Sequence, residues 1–210
     1  MLNIWGRISS LNVRKVVWCA QELGLDFQRT EAGGRFGVVQ TREYLALNPN
    51  AMVPVIDDGE GTERVVLWES NVIVRYLCAK HSLGKLYPDL LGERFDAERW
   101  MDWQQTALNA VSGGAFVQWI RKAPDERDAA VIARSVNATE PLLAMLDTHL
   151  ADRAYMAGDR FTMADIPIAC ELHRWQALPQ PRPERKHLKR WYDAINARPA
   201  ARGVFDLAVS

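Results

Sequence analysis

The stretch Asn50-Ala51-Met52-Val53-Pro54-Val55-Ile56-Asp57, followed one hairpin later by Leu67-Trp68-Glu69-Ser70-Asn71, constrains this 210-residue chain more than any other. A proline opens a short apolar run, and a polar Glu-Ser pair starts the next helical pattern. X-Pro is the only common home of a cis peptide bond, so Val53-Pro54 reads as a tight bend. A cis bond there turns the Val53 N–H and C=O outward, free to pair with an extended peptide. Glu69-Ser70 falls at a helix N-terminus, where backbone N–H groups and the helix dipole favour a carboxylate. Either piece alone also fits a plain hairpin running into a capped helix. Together, in this order and at this spacing, they describe a receptor for a small peptide with a free amino acid end.

The flanking pattern gives that receptor a frame. Residues 2–6 read as a strand. Val13, Val16, Val17, Ala20 and Leu23 then recur at helical spacing, and Gly24 suits the position after a helix end. Leu25 to Thr30 alternates as a second strand. Gly33-Gly34-Arg35-Phe36-Gly37 is a flexible loop, and Glu43 to Leu47 a short helix ending before Asn48-Pro49. Val53 to Ile56 and Arg64 to Trp68 form a hairpin around Asp57-Asp58-Gly59-Glu60-Gly61. Ile73, Tyr76, Leu77 and Lys80 continue as a helix. The order β-α-β-α-β-β-α makes residues 1–80 one α/β domain. Residues 81–90 carry turn residues and read as a linker, and residues 91–210 are helical in pattern. In that half Trp100, Trp103, Ala107 and Ala110 form one stripe, and Gly113-Gly114 is expected to kink or interrupt it. A further helix covers about Glu126 to Ala151, with Pro141 a kink rather than a stop. Pro179, Pro181 and Pro183 punctuate the later helices.

Composition excludes several function classes. The 26 basic and 26 acidic residues balance, and no basic stripe stands out, which argues against nucleic acid. No apolar run is long enough to cross a bilayer. Met1-Leu2-Asn3-Ile4-Trp5-Gly6 enters a strand at once and lacks the regions of a signal peptide, so a cytoplasmic location is expected. Cys19, Cys78 and Cys170 are an odd, scattered set without a CxxC, unlike a disulfide framework. His81, His149, His173 and His187 show no metal-ligand spacing, and no metal is expected.

At this point the residues resemble a family, the cytosolic glutathione S-transferases, over the whole chain. Ser10-Leu11-Asn12-Val13 matches the S-x-N-[VL]-x-[RK] segment of the serine-type, phi- and theta-like classes. Asn48-Pro49 with Val53-Pro54 is similar to N-P-x-x-x-[VI]-P, and Glu69-Ser70 to the [EQ]-S pair. Asp102 and Trp103 fit the first long helix of the second domain. Thr162-Met163-Ala164-Asp165 resembles the family's [ST]-x-x-D capping box. There the Thr162 hydroxyl is expected to accept from the Asp165 N–H while the Asp165 carboxylate accepts from the Thr162 N–H. The resemblance implies a thioredoxin-like N-terminal domain, a four-stranded mixed sheet with helices, followed by an all-helical C-terminal domain.

It also implies glutathione as cosubstrate and a homodimer. Glutathione reacts as its thiolate, and each unit by which its thiol pKa is lowered needs about 1.4 kcal/mol of preferential stabilisation. Ser10, at the N-terminus of the first helix, has the hydroxyl for this, with Asn12 nearby. Ser9 competes, because S-S-x-x-x-R is the pattern of the zeta-like isomerases. No tyrosine lies in the first loop and no cysteine at position 9 or 10, which disfavours the tyrosine and mixed-disulfide classes. By position, Val53, next to Pro54, pairs with the cysteinyl unit, and Glu69 and Ser70 hold the γ-glutamyl amine and carboxylate. Gln40 or Arg42 faces the glycyl carboxylate, and Asp102 reaches across the dimer to the γ-glutamyl amine. Trp103, Phe116, Trp119 and Ile120 are candidates for the electrophile pocket, and helical spacing equally suits them to the core. The implied activity is attack of glutathione thiolate on a small hydrophobic electrophile, or peroxide reduction. The alternatives are a zeta-like, glutathione-dependent isomerase and a noncatalytic ligand-binding or scaffold protein.

Overall fold

A computed structural model describes all 210 residues. The strand Leu2–Trp5 (β1) leads into the helix Leu11–Glu22 (α1), then the strand Phe27–Thr30 (β2) and the short helix Arg42–Leu47 (α2). The strands Val55–Asp58 (β3) and Val65–Trp68 (β4) and the helix Ser70–His81 (α3) complete the first unit. Its sheet runs β2-β1-β3-β4. Leu2 is paired with Phe27 in parallel, Ile4 with Ile56 and Ile56 with Leu67 in antiparallel. This is the mixed four-stranded sheet of the thioredoxin-like expectation. β3 starts two residues later than the sequence indicates, because Pro54 has no N–H to give a ladder, and β4 starts one residue later, at the turn end of the hairpin where Val65 pairs with Asp58. The Val53–Pro54 bond is cis.

The second unit is helical: Leu91–Trp103 (α4), Asn109–Phe116 (α5), Ala129–His149 (α6), Asp165–Gln176 (α7) and Lys186–Asn196 (α8). Gly113-Gly114 does not interrupt the first of these stripes. The pair lies inside α5, and π-helical turns at Gln104–Leu108 and Val117–Arg121 flank it instead. Gly114 faces α6, where a Cβ would stand in ordinary contact with Ser135 and Val131. α6 passes through Pro141 unbroken.

α1 and α7 hold the two units together. From Val13 to Ala20 every residue of α1 is buried, because one face lies on the sheet and α3 while the opposite face meets α7. Close approach of α1 to the sheet needs Gly6, where a Cβ would meet Val13 Cγ2 at 2.4 Å. α7 starts at the expected box. Asp165 Oδ2 accepts from the Thr162 N–H at 2.9 Å, but the Thr162 hydroxyl accepts from the Ala164 N–H, because the Asp165 N–H is bonded to the Thr162 carbonyl. Asp165 Oδ1 adds bonds from the Met156 N–H and Trp191 Nε1, both 2.9 Å. The carboxylate thus joins α7, α8 and the loop ahead of α7.

The C-terminal tail is tied to α1 by a buried arginine. Arg14 donates to the carbonyls of Val204, Leu207 and Ala208 and to His173 Nε2 at 3.0 Å. Arginine only donates, so Nε2 accepts, and the proton sits on Nδ1, which donates to the Tyr192 hydroxyl at 3.0 Å. Burial and the facing Arg14 push His173 down to about 4.

Candidate active site

The N-termini of α1 and α3 open beside one cleft of about 290 Å³, lined by Asn12, Asn50, Val53, Glu69, Ser70 and Gln105 among others. The N–H groups of Leu11, Asn12 and Val13 in the first turn of α1 have no partner within the chain, and neither do those of Ser70, Asn71 and Val72 in α3. Unpaired first-turn N–H groups and the positive ends of two helices make an anion-binding surface. Val53, between the two, has an N–H and a C=O that pair with nothing in the fold. Glu69 is held at φ +71°, a region that side chains other than glycine rarely adopt. Such strain concentrates where a ligand is clamped.

Several expected residues therefore converge. Val53, Pro54, Glu69, Ser70 and Asn12 line one surface. Ser70 Oγ donates to Asn12 Oδ1 at 3.2 Å, linking α3 to α1. Ser10 is the N-cap residue of α1, yet its hydroxyl makes no capping bond and has no partner. The Ser9 hydroxyl is engaged by Ser210, with the two oxygens 2.5 Å apart.

Other expected residues stand elsewhere. Gln40 and Arg42 are exposed, ahead of and at the start of α2, and neither lines the cleft. Asp102 is exposed and ion-paired with Arg75 of its own chain. Trp103 stacks edge-on against Trp100 at 5.5 Å, and the two rings with Arg99 and Met145 line a separate shallow recess. Phe116 is 5% exposed, with the Arg121 and Arg174 guanidinium groups each 5.0 Å from its ring. Trp119 packs on the core under Arg127, 5.0 Å from its ring, and Ile120 is half-buried against the same core. Helical spacing alone does not separate a pocket wall from the core: Phe116 is in the core, and Trp119 and Ile120 lie at its partly buried margin.

The sequence reading missed Asn48, Asn50 and Gln105, all of which line the cleft. Asn48 Oδ1 accepts from the Asn50 N–H at 3.0 Å and its Nδ2 donates to the Met52 carbonyl at 2.9 Å, which shapes the bend before Val53. The Asn48-Pro49 turn was the available signal. Gln105 had none, because a π-helical turn sets the direction of its side chain.

Comparison with known proteins identifies the family. Residues 9–80 match the family model described as glutathione S-transferase, N-terminal domain, and residues 110–199 that of the C-terminal domain. Glutathione S-transferase GstB of Escherichia coli is 38% identical, with all of both chains covered. Glutathione S-transferase 3 of Zea mays is 33% identical, with 95% of this chain and 90% of the maize protein covered. A theta class glutathione S-transferase from Xanthomonas axonopodis pv. citri, solved with glutathione bound, superposes with a TM-score of 0.94 at 42% identity, covering 100% of this chain and 99% of that one. Two domain models in order, full-length relatives and a shared fold place this chain in the glutathione S-transferase family.

Proposed function

We propose that the cleft binds glutathione and that Ser10 is the catalytic residue that stabilises its thiolate. The chain is a glutathione S-transferase, and its cosubstrate is glutathione. The unpaired Val53 backbone beside Glu69 and Ser70 carries the assignment of the cleft. Val53 pairs with the cysteinyl unit as one more strand would, and the Glu69 carboxylate faces the γ-glutamyl amine. Ser70 and the open N-terminus of α3 take the γ-glutamyl carboxylate. That pose directs the thiol toward the N-terminus of α1. There the free Ser10 hydroxyl donates to the sulfur, and the unpaired N–H groups and helix dipole favour its negative charge. The thiol proton leaves to solvent, and the thiolate attacks the electrophile. Each interaction is stronger with the anion than with the neutral thiol, which is the condition for acceleration.

The free hydroxyl of Ser10 also weighs against the zeta-like reading, in which Ser9 leads, because Ser9 is bonded to Ser210. The second substrate is a small-molecule electrophile admitted between the two units near Ile120. Gln40 and Arg42 remain the candidates for the glycyl carboxylate. We also infer a homodimer. Met52, Trp68 and Val72 on one unit and Leu90, Leu91 and Phe95 on the other are exposed apolar side chains that a second copy would cover. In that dimer Asp102 would lie toward the partner's cleft. A cytoplasmic location accords with this use of glutathione, and no helix is long and apolar enough to cross a membrane.

The decisive experiment is thiolate titration of bound glutathione by absorbance. Ser10→Ala raises the apparent thiol pKa and lowers turnover, with little change in affinity, and Ser9→Ala does less. The reverse order would make Ser9 the donor. No change in either would assign the stabilisation to Asn12 or the backbone of α1.

A further inference from the structure

Arg7 belongs to the first unit and Arg121 to the second, yet the two charges act on each other. Arg7 lies in the loop between β1 and α1. The Ser10 N–H donates to the Arg7 carbonyl at 3.1 Å, so one turn carries both this guanidinium and the free hydroxyl. The Arg7 side chain lies over Gly33 and Gly34, where an added Cβ would fall 3.2 Å from Nη1 and 3.2 Å from Nε respectively. The same Cβ at Gly33 would fall 3.3 Å from Val53 Cγ1, which puts Arg7 beside the cleft. Arg121 ends the π-helical turn that follows α5. Its guanidinium is 5.0 Å from the Phe116 ring, and that of Arg174 is 5.0 Å from the same ring. The charge of Arg174 is answered by Glu171 at 2.5 Å. No carboxylate of the chain stands within ion-pair distance of Arg7 or Arg121. Burial first, then the charges of Arg7 and Arg174, pull Arg121 below its ordinary value, and no acidic neighbour offsets them. Like charges gathered at a partly dry site are costly without a counter-charge.

Resting on the reading of Ser10 as the donor to the thiolate, we propose that Arg7 and Arg121 bind a carboxylate on the second substrate, which makes the preferred electrophile a small anionic one. The guanidinium fork matches a carboxylate in shape as well as charge. An anionic electrophile nearing a thiolate meets like charge, which a neutral one does not. Two free guanidinium groups beside the reacting sulfur offset that repulsion, and a neutral electrophile gives them nothing to bind. With an arylmethyl chloride that bears a carboxylate, the sulfur forms a bond to the methylene carbon and chloride leaves with the bonding electron pair. The thiol proton has gone to solvent, and the carboxylate keeps its charge throughout.

The test compares 4-(chloromethyl)benzoate with 4-(chloromethyl)benzamide, which react at the same carbon and differ in charge. Each rate is taken relative to the uncatalysed reaction with glutathione. Full-length wild type should show a kcat/KM about tenfold or more higher for the benzoate. Arg121→Met and Arg7→Met each lower the benzoate value roughly tenfold or more and the benzamide value far less. Arg121→Lys, which keeps the charge and loses the fork, restores part of the preference. Added salt narrows the preference in the wild type and not in Arg121→Met. The glutathione KM moves little throughout. If Arg7→Met does not fold, Arg121, exposed at the end of its helical turn, still decides. A wild type that shows no preference, or that uses neither compound while it still binds glutathione, would overturn the proposal alone. So would variants that keep the preference, or whose glutathione KM rises in its place; the latter would make the two arginines part of the glutathione site. Failure of the wild type to bind glutathione would overturn the reading of the cleft with it.

Discussion

Acid should loosen this protein through His173, and the effect can be sized. The imidazole is fixed neutral, with Nε2 accepting from Arg14 and Nδ1 donating to Tyr192. Protonation removes the acceptor and places a second cation against a guanidinium. The ring titrates at about 4 in the fold against 6.5 unfolded, burial being the larger cause and Arg14 the next. Between those values the unfolded chain binds the extra proton and the folded chain does not. His173 therefore contributes stability that is present above pH 6.5 and is lost as pH falls toward 4. A shift of that size corresponds to about 3 kcal/mol, or about 2 kcal/mol after allowance for the ring's partial exposure. The comparison is His173→Gln, whose amide also offers an acceptor and a donor but does not titrate. Urea unfolding at fixed protein concentration, stepped from neutral to about pH 4.5, should show the wild type losing about 2 kcal/mol more than the variant. Wild type and variant losing stability in parallel would refute the mechanism.

Glu69→Ala or Ser70→Ala should weaken glutathione binding by about 1.5–3 kcal/mol with little effect on folding; calorimetry giving unchanged affinity in both would remove them from the site. Asp165→Ala leaves the Met156 and Thr162 N–H groups and Trp191 Nε1 buried without an acceptor. Its cost should be about 3 kcal/mol or more, and an unchanged urea midpoint would show that the box is dispensable. Light scattering at micromolar concentration should find a dimer that Leu91→Glu with Phe95→Glu dissociates. A wild type seen only at 23.8 kDa would sink the dimer.

The parts of this protein that could be read from the chain are those specified by close neighbours in sequence. Val53-Pro54, Glu69-Ser70 and Thr162 with Asp165 each act over a few residues. A missing proline N–H, a polar pair at a helix start and a carboxylate reaching back one turn need no distant partner. The same holds for the β-α-β-α-β-β-α order, which follows from changes of apolar period. Periodicity also located the first helix, but it reports one buried face. α1 has two, and the second is covered by α7, some 150 residues away, which is why charged Arg14 and Lys15 lie inside the protein. The tail on Arg14, the Ser210 bond that separates Ser9 from Ser10, and Gln105 in the cleft arise only when remote segments meet. Phe116 carries the same lesson from the other side: an apolar stripe fixes which face of a helix is turned inward, and only the packed neighbours decide whether that face meets a ligand or the core.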